Sequence, residues 1–182
     1  MPPVLAINAA ARHPTTTGAE MESAAKNFFT STYFAVAGAS QSPHKYGYKV
    51  LHWYTTHCLP ALPITPSRPT ITISNKTYPT FSSPLALPHP TETSLSIITQ
   101  PPITLKVLQE AKEAGVRAVW LQPGSFDEEG LAFAVREWEG AAVGGVGGEG
   151  GEGWCVLVDG EAGVGGKGAR EERGKVVGTT RI

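Results

Sequence analysis

The chain has 182 residues, 41% of them hydrophobic, and a formal net charge of −1. That length suits one domain with its own core, and the balanced charge excludes a broad basic field for nucleic acid. No apolar run reaches the length of a membrane span, and the two distant cysteines, Cys58 and Cys155, form neither a CxxC pair nor a disulfide framework.

Such cysteine usage points to a reducing compartment, and a cytoplasmic protein is expected. Met1 to Gly18 carries Arg12 and no acid before Glu20, a composition shared by mitochondrial presequences. One arginine is few for a leader, so residues 1–20 are read as a disordered extension and the domain as beginning at Met21. Glu22 to Phe29 reads as a short helix. Tyr33 to Ala37 is an apolar run of strand length. It ends at Gly38-Ala39-Ser40, small residues where the backbone turns and a ligand can come close. After a polar loop with Pro43, His44 and Lys45, a helix is predicted from Tyr46 to His57, with Val50, Trp53, Tyr54 and His57 on one side.

A strand, a small-residue turn and a helix start form a site for phosphate, because unpaired N–H groups and the helix dipole point at it. A plain tight turn would use the same residues. The known fingerprints do not match. A dinucleotide motif would place glycines where Ser40 and Pro43 stand, and a Walker loop differs from Lys45-Tyr46-Gly47. The hydrolase elbow G-x-S-x-G fits Gly38-Ala39-Ser40 but ends in Ser42.

Ala61 to Thr65 reads as the second strand, near a sheet edge because of its proline. Residues 66–90 form a long connection, rich in Pro, Ser and Thr, with brief extended pieces at Ile71–Ile73 and Tyr78–Phe81. Its length makes it functional or mobile. Ser94 to Thr99 is the next strand. Gln100-Pro101-Pro102 then opens a helix that runs to Ala114 and closes at Gly115. Val116 to Leu121 is another strand, followed by Gln122-Pro123-Gly124. Asp127 to Glu139 is a helix with acids at its start, where the dipole favours them. Ala141 to Val143 fits a short strand, Gly144 to Gly153 a flexible glycine-rich insert that cannot pack, and Trp154 to Val158 a final strand. Residues 163–182 read as a disordered tail, which leaves 21–162 as the domain.

Alternating strands and helices predict an α/β fold: a mainly parallel sheet with helices on both faces. The ligand of such a sheet sits at the carboxyl ends of the strands, near the switch point. The loops Gly38 to Lys45, Thr99 to Pro101 and Gln122 to Gly124 all emerge there.

The segments Phe34 to Ser40, Lys45 to Val50, Ile64-Thr65-Pro66, Ile97 to Pro101 and Val119 to Gly124 together carry a resemblance. From Met21 to about Gly160 the sequence resembles the CoA-binding domain family, single-domain relatives of the nucleotide-binding half of the succinyl-CoA synthetase alpha subunit. The resemblance implies a Rossmann-like three-layer fold with CoA across the strand ends. It implies that Gly38, Ala39 and Ser40 hold the diphosphate and that Lys45, with Tyr46 beside it, pairs with a CoA phosphate. It further implies that Thr65 and Pro66 border the adenosine, that Thr99 and Pro101 line the pantetheine side, and that Gln122, Pro123 and Gly124 complete the pocket. Members commonly carry Asn where Thr65 stands, and the glycine-rich insert is a second departure.

The chemistry of the second strand agrees with that ligand. An NAD site wants a carboxylate there for the ribose hydroxyls, and the strand ends Thr65-Pro66-Ser67-Arg68. Arg68 suits a phosphorylated ribose, as in CoA or NADP, or is a solvated loop charge. The synthetase's phosphohistidine chemistry needs a second domain. Here all five histidines (His13, His44, His52, His57, His89) precede Pro90. A hydrolase built on Ser40 would need an acid and then a histidine downstream, and His89 is poorly placed for it. Cys155 on the final strand could approach a ligand thiol or serve as a small buried hydrophobe. No catalytic residue and no metal site are assigned. The expectation is a module that binds CoA or acyl-CoA, regulatory rather than catalytic, with no nucleic-acid or membrane partner. An NADP-dependent oxidoreductase or another nucleotide-binding protein is the alternative.

Overall fold

The computed structural model describes residues 17–165; the expectations for residues 1–16 and 166–182 lie outside that range. Helix α1 (Gly18–Phe28) opens on a reciprocal capping box. The Thr17 hydroxyl accepts from the Glu20 N–H at 3.3 Å, and the Glu20 carboxylate accepts from the Thr17 N–H at 2.7 Å. That cap starts the helix ahead of the boundary expected at Met21.

The chain then runs through β1 (Tyr33–Ala37), α2 (Tyr46–Thr56), β2 (Ala61–Ile64), β3 (Thr70–Ile73), β4 (Lys76–Pro79) and β5 (Thr93–Ile97). It ends with α3 (Pro101–Ala114), β6 (Ala118–Leu121), α4 (Glu128–Glu137), β7 (Ala142–Val143) and α5 (Val156–Val164). Five strands pair in the order β2-β1-β5-β6-β7, all parallel. The chain proceeds outward to β2 on one side of β1 and to β6 on the far side of β5. The boundary between β1 and β5 is therefore the switch point of the sheet.

Alternation along β1 divides the core into two layers. Phe34 and Val36 pack with Met21, Ala24 and Phe28 of α1, with Val50, Trp53 and Tyr54 of α2, and with Val156 of α5. Ala35 and Ala37 face the other way, among Leu108 and Ala111 of α3 and Ala134 of α4. The first layer is aromatic, with Phe28 edge-on to Trp120 at 5.4 Å between centroids. Two buried serines of β5 find partners in it: the Ser94 hydroxyl donates to the Phe28 carbonyl at 2.7 Å, and Ser96 meets the Tyr54 hydroxyl at 2.8 Å. Burial pushes the Tyr54 phenol far above its ordinary range, against the opposing bond from Ser96. Tyr54 is a structural hydroxyl and not an acid.

The fold is the expected Rossmann-like α/β architecture, and the departures from expectation are local. The long connection after β2 contains an ordered hairpin, β3 against β4, turning at Ser74 and Asn75, both with positive φ. Such mirror-image turns match the twist of a two-strand ribbon. Ile71 and Ile73 anchor it in the aromatic layer. The chain then bridges the outer side of β2, where the Phe81 N–H donates to the Pro63 carbonyl and the Thr65 N–H to the Phe81 carbonyl, both at 2.9 Å. The β2 edge is thereby covered near its carboxyl end.

The larger correction concerns Trp154 to Val158, expected as a strand and found entering α5. Gly160 and Gly163, one helical turn apart, sit hard against α2 and the end of α1. A Cβ on Gly160 would lie 2.7 Å from the Trp53 ring, and one on Gly163 2.4 Å from the Phe29 ring. These two glycines let the segment dock as a helix, and tertiary packing overrides the β propensity of its apolar run. The same packing explains why helical order passes the expected boundary at 163. The glycine-rich insert packs too, contrary to expectation. Gly144 and Gly153 are buried, and the Glu149 N–H donates to the Asp159 carboxylate of α5 at 2.7 Å. No helix of the described residues is long and apolar enough to cross a membrane.

Candidate functional site

The carboxyl ends of β2, β1, β5 and β6 form one rim, and the strand order brings every sequence-predicted position onto it. Its centre is the turn from β1 to α2. Gly38 has φ +87°, and a Cβ there would sit 3.1 Å from the Ile98 carbonyl group at the end of β5. Gly47, in the first turn of α2, is tighter still: its Cβ would lie 2.0 Å from the Gly38 carbonyl oxygen. Only glycine at both places lets the helix start this close to the strand end.

The Gly38 and Ala39 N–H groups both donate to the Ile64 carbonyl, at 3.1 and 3.3 Å. Two of the three positions expected to hold a diphosphate thus spend their backbone donors on β2. The Ser40 hydroxyl accepts from the Ser42 N–H at 3.1 Å. Among the described residues the N–H groups of Ser40, Tyr46 and Gly47 have no hydrogen-bond partner. The N-cap of α2 is Lys45, with no side-chain capping bond and no acid in the first turn. Lys45 and Tyr46 are exposed, and the Lys49 ammonium lies 5.3 Å from the Tyr46 ring centroid. A positive helix end thus carries a second positive charge and no anion of its own.

At the end of β2 the Thr65 and Ser67 hydroxyls meet at 2.9 Å, and Pro66 and Arg68 are exposed. The Arg68 carbonyl accepts from the Thr80 hydroxyl, while its guanidinium has no ion pair among the described residues. The turn from β5 to α3 differs in character. Pro101 and Pro102 begin the helix and bring no N–H, and the next two N–H groups, of Ile103 and Thr104, turn back to the Gln100 carbonyl at 2.8 and 3.0 Å. The Thr99 hydroxyl is held by that of Thr104 at 2.7 Å. This part of the rim offers carbons rather than donors. Ile103, which sequence reasoning passed over, adds an exposed apolar side chain to it. Its position off the buried stripe Thr104, Val107, Leu108 and Ala111 was the available signal.

The turn from β6 to α4 carries Gln122, only 1% exposed. Its N–H donates to the Ile97 carbonyl at 3.1 Å, and its carbonyl accepts from the Ser125 hydroxyl at 2.7 Å. The side-chain Oε1 accepts from the Val156 N–H at 3.0 Å, whereas Nε2 is buried with no partner. Pro123 and Gly124 are exposed, Gly124 with φ +78°. Through Gln122 the rim reaches the N-terminus of α5, where Cys155 is the N-cap. Burial raises the Cys155 thiol above its ordinary range, against the Leu157 and Val158 N–H groups that lower it. Sequence reasoning missed this contact because α5 was read as a strand.

The histidines of α2 and of its C-cap are engaged structurally. His52 stacks on Tyr48, and His57 stacks on Trp53 and meets Glu161 of α5 at 2.5 Å. Among the described residues no group of three His, Cys, Asp or Glu is placed to hold a metal ion.

The sequence profile of the CoA binding domain matches residues 32–147. The chain belongs to that CoA-binding domain family. The matched stretch holds β1 to β7 and all the rim loops, while α1 and α5 lie outside it. Among solved structures, a conserved hypothetical protein from Pyrococcus furiosus is 29% identical, with a TM-score of 0.51 over 58% of this chain and 86% of that one. A hypothetical protein from Pyrococcus horikoshii shares the fold at 19% identity and TM-score 0.56, over 64% of this chain and 79% of that one. So does a Thermus thermophilus protein at 21% identity and TM-score 0.56, over 67% and 89%. No protein of curated function matches the chain.

Proposed function

We propose that the protein binds CoA or acyl-CoA across this rim as a regulatory, non-catalytic module. The observation that carries the reading is the uncapped N-terminus of α2, with Lys45 at its cap position and no acid in its first turn. A helix start with unpaired N–H groups favours an anion, and an ammonium placed there is disfavoured until an anion arrives. The ligand diphosphate would take the Ser40 and Tyr46 N–H groups and the Lys45 ammonium. The donor-poor start of α3, with Thr99, Pro101 and Ile103, suits the pantetheine arm beside it. Thr65 and Pro66 would border the adenosine, Arg68 would meet the 3′-phosphate, and Pro123 and Gly124 would close the far end. The Ser40 hydroxyl accepts from the Ser42 N–H, as a turn residue at a phosphate site does.

Arg68 equally suits the phosphorylated ribose of NADP, which makes an NADP-dependent oxidoreductase the second reading. Calorimetric titration with CoA, dephospho-CoA, NAD and NADP separates the two. CoA should bind about tenfold tighter than dephospho-CoA, and Arg68→Ala should remove that preference. Tighter binding of NADP than of CoA would overturn the proposal.

A further inference from the structure

The side chain of Gln122 has two ends with different fates. Its Oε1 accepts from the Val156 N–H at the start of α5, at 3.0 Å. That bond fixes the orientation of the carboxamide, because turning it over would set an NH2 group against an N–H. The Nε2 is buried and has no partner among the described residues. A sealed donor without an acceptor is costly and rare, so this one calls for an acceptor, which at a ligand rim is a ligand atom or an interior water. The backbone of Gln122 lies at the end of β6, joined by its own N–H to the Ile97 carbonyl at the end of β5, from which the chain turns into the donor-poor start of α3.

We infer that Gln122 Nε2 donates a hydrogen bond to a carbonyl oxygen of the pantetheine arm. This rests on the CoA reading above and adds to it a residue that reads the arm rather than the phosphates. CoA offers two amide carbonyls there, and acyl-CoA adds a thioester carbonyl. The opposite end of the same carboxamide holds α5, which lies outside the stretch shared with the family. Gln122 is therefore a specificity residue braced by an element outside the stretch that the family profile matches.

The test compares CoA, acetyl-CoA and 3′,5′-ADP, which keeps the nucleotide end and lacks the arm, on the wild type, Gln122→Met and Gln122→Glu. Gln122→Met should weaken CoA roughly tenfold and leave 3′,5′-ADP unchanged. Gln122→Glu keeps an acceptor for the Val156 N–H and puts an oxygen in place of Nε2. Its CoA affinity should fall as pH rises and the carboxyl loses its proton, with 3′,5′-ADP again unaffected. A loss greater for acetyl-CoA than for CoA would assign the bond to the thioester carbonyl, and equal losses to an amide carbonyl. In the wild type, the side-chain amide resonances of Gln122 should shift on adding CoA but not on adding 3′,5′-ADP. Equal weakening of both ligands, or no shift of that amide, would show that Nε2 meets only an interior water and overturn the inference. If neither ligand binds the wild type, the CoA reading itself fails, an outcome distinct from the first.

Discussion

Of the helices that begin on the rim of the sheet, α2 and α4 have N-termini that the protein treats in opposite ways. At α4 the Asp127 carboxylate accepts from the Gly130 N–H at 2.9 Å, with Glu128 and Glu129 following in the first turn. That end carries its own anions. At α2 the cap position holds Lys45, the first turn holds no acid, and the Tyr46 and Gly47 N–H groups have no partner among the described residues. An N-terminus is a favourable place for negative charge, and only one of these two leaves that place vacant. The lesson is that the site is defined less by what α2 possesses than by what it lacks.

The glycines in the two first turns sharpen the comparison most. At Gly47 an added Cβ would meet the Gly38 backbone carbonyl at 2.0 Å, and backbone cannot step aside cheaply. At Gly130 the nearest atom would be the Asp127 Oδ1 at 3.3 Å, the end of a side chain that can move. Gly47→Ala should therefore destabilise the fold by about 3 kcal/mol, as overpacking does, and abolish CoA binding by pushing α2 off the rim. Gly130→Ala should change stability by less than about 1 kcal/mol, since the better helix propensity of alanine offsets mild crowding. Paired calorimetric melts test both, and a similar Tm for the two variants would show that the close packing at Gly47 is not required.

Lys45→Glu asks whether α2 can be made to resemble α4. The new carboxylate would occupy the anion's place beside the helix end, so CoA affinity should drop by about a hundredfold. Stability without ligand should stay level or rise by about 0.5 kcal/mol, because a negative charge suits that end. Opposite movements of affinity and melting temperature would mark Lys45 as a residue kept for binding. A parallel loss of both would mark it as structural.

Much of this arrangement was legible because its signals are local. The strand from Tyr33 to Ala37, the helix after Lys45 and the helix between Pro101 and Gly115 are announced by apolar runs and by residues that punctuate them. Gly115 does adopt the left-handed conformation its place as a helix stop requires, with φ +78°. What escaped depends on partners remote in sequence. The Gly38 and Ala39 N–H groups were expected to face a ligand, but the Ile64 carbonyl takes both. The Trp154 to Val158 run has strand composition, but Trp53 and Phe29 decide its fate through Gly160 and Gly163. The unpartnered Nε2 of Gln122 follows from that same helix, since no residue near Gln122 in sequence supplies the N–H that orients it. Periodicity locates the rim, while contacts between distant segments determine which of its atoms remain available.

The smallest expected effect tests the closed end. Asp127→Ala removes the side-chain cap of α4 and leaves the Gly130 N–H to water, which should cost about 1 kcal/mol of stability. Asp127 is exposed, so little else depends on its side chain. If the two helix starts are as different as their caps indicate, CoA affinity should not respond, because α4 contributes no anion site to the rim. A shallow decrease in urea midpoint with an unchanged dissociation constant is the expected pair of results. A gain in CoA affinity on removing Asp127 would instead mean that its carboxylate had been repelling the ligand. The phosphates would then lie closer to α4 than the open start of α2 implies, and the division of labour between the two helices would have to be redrawn.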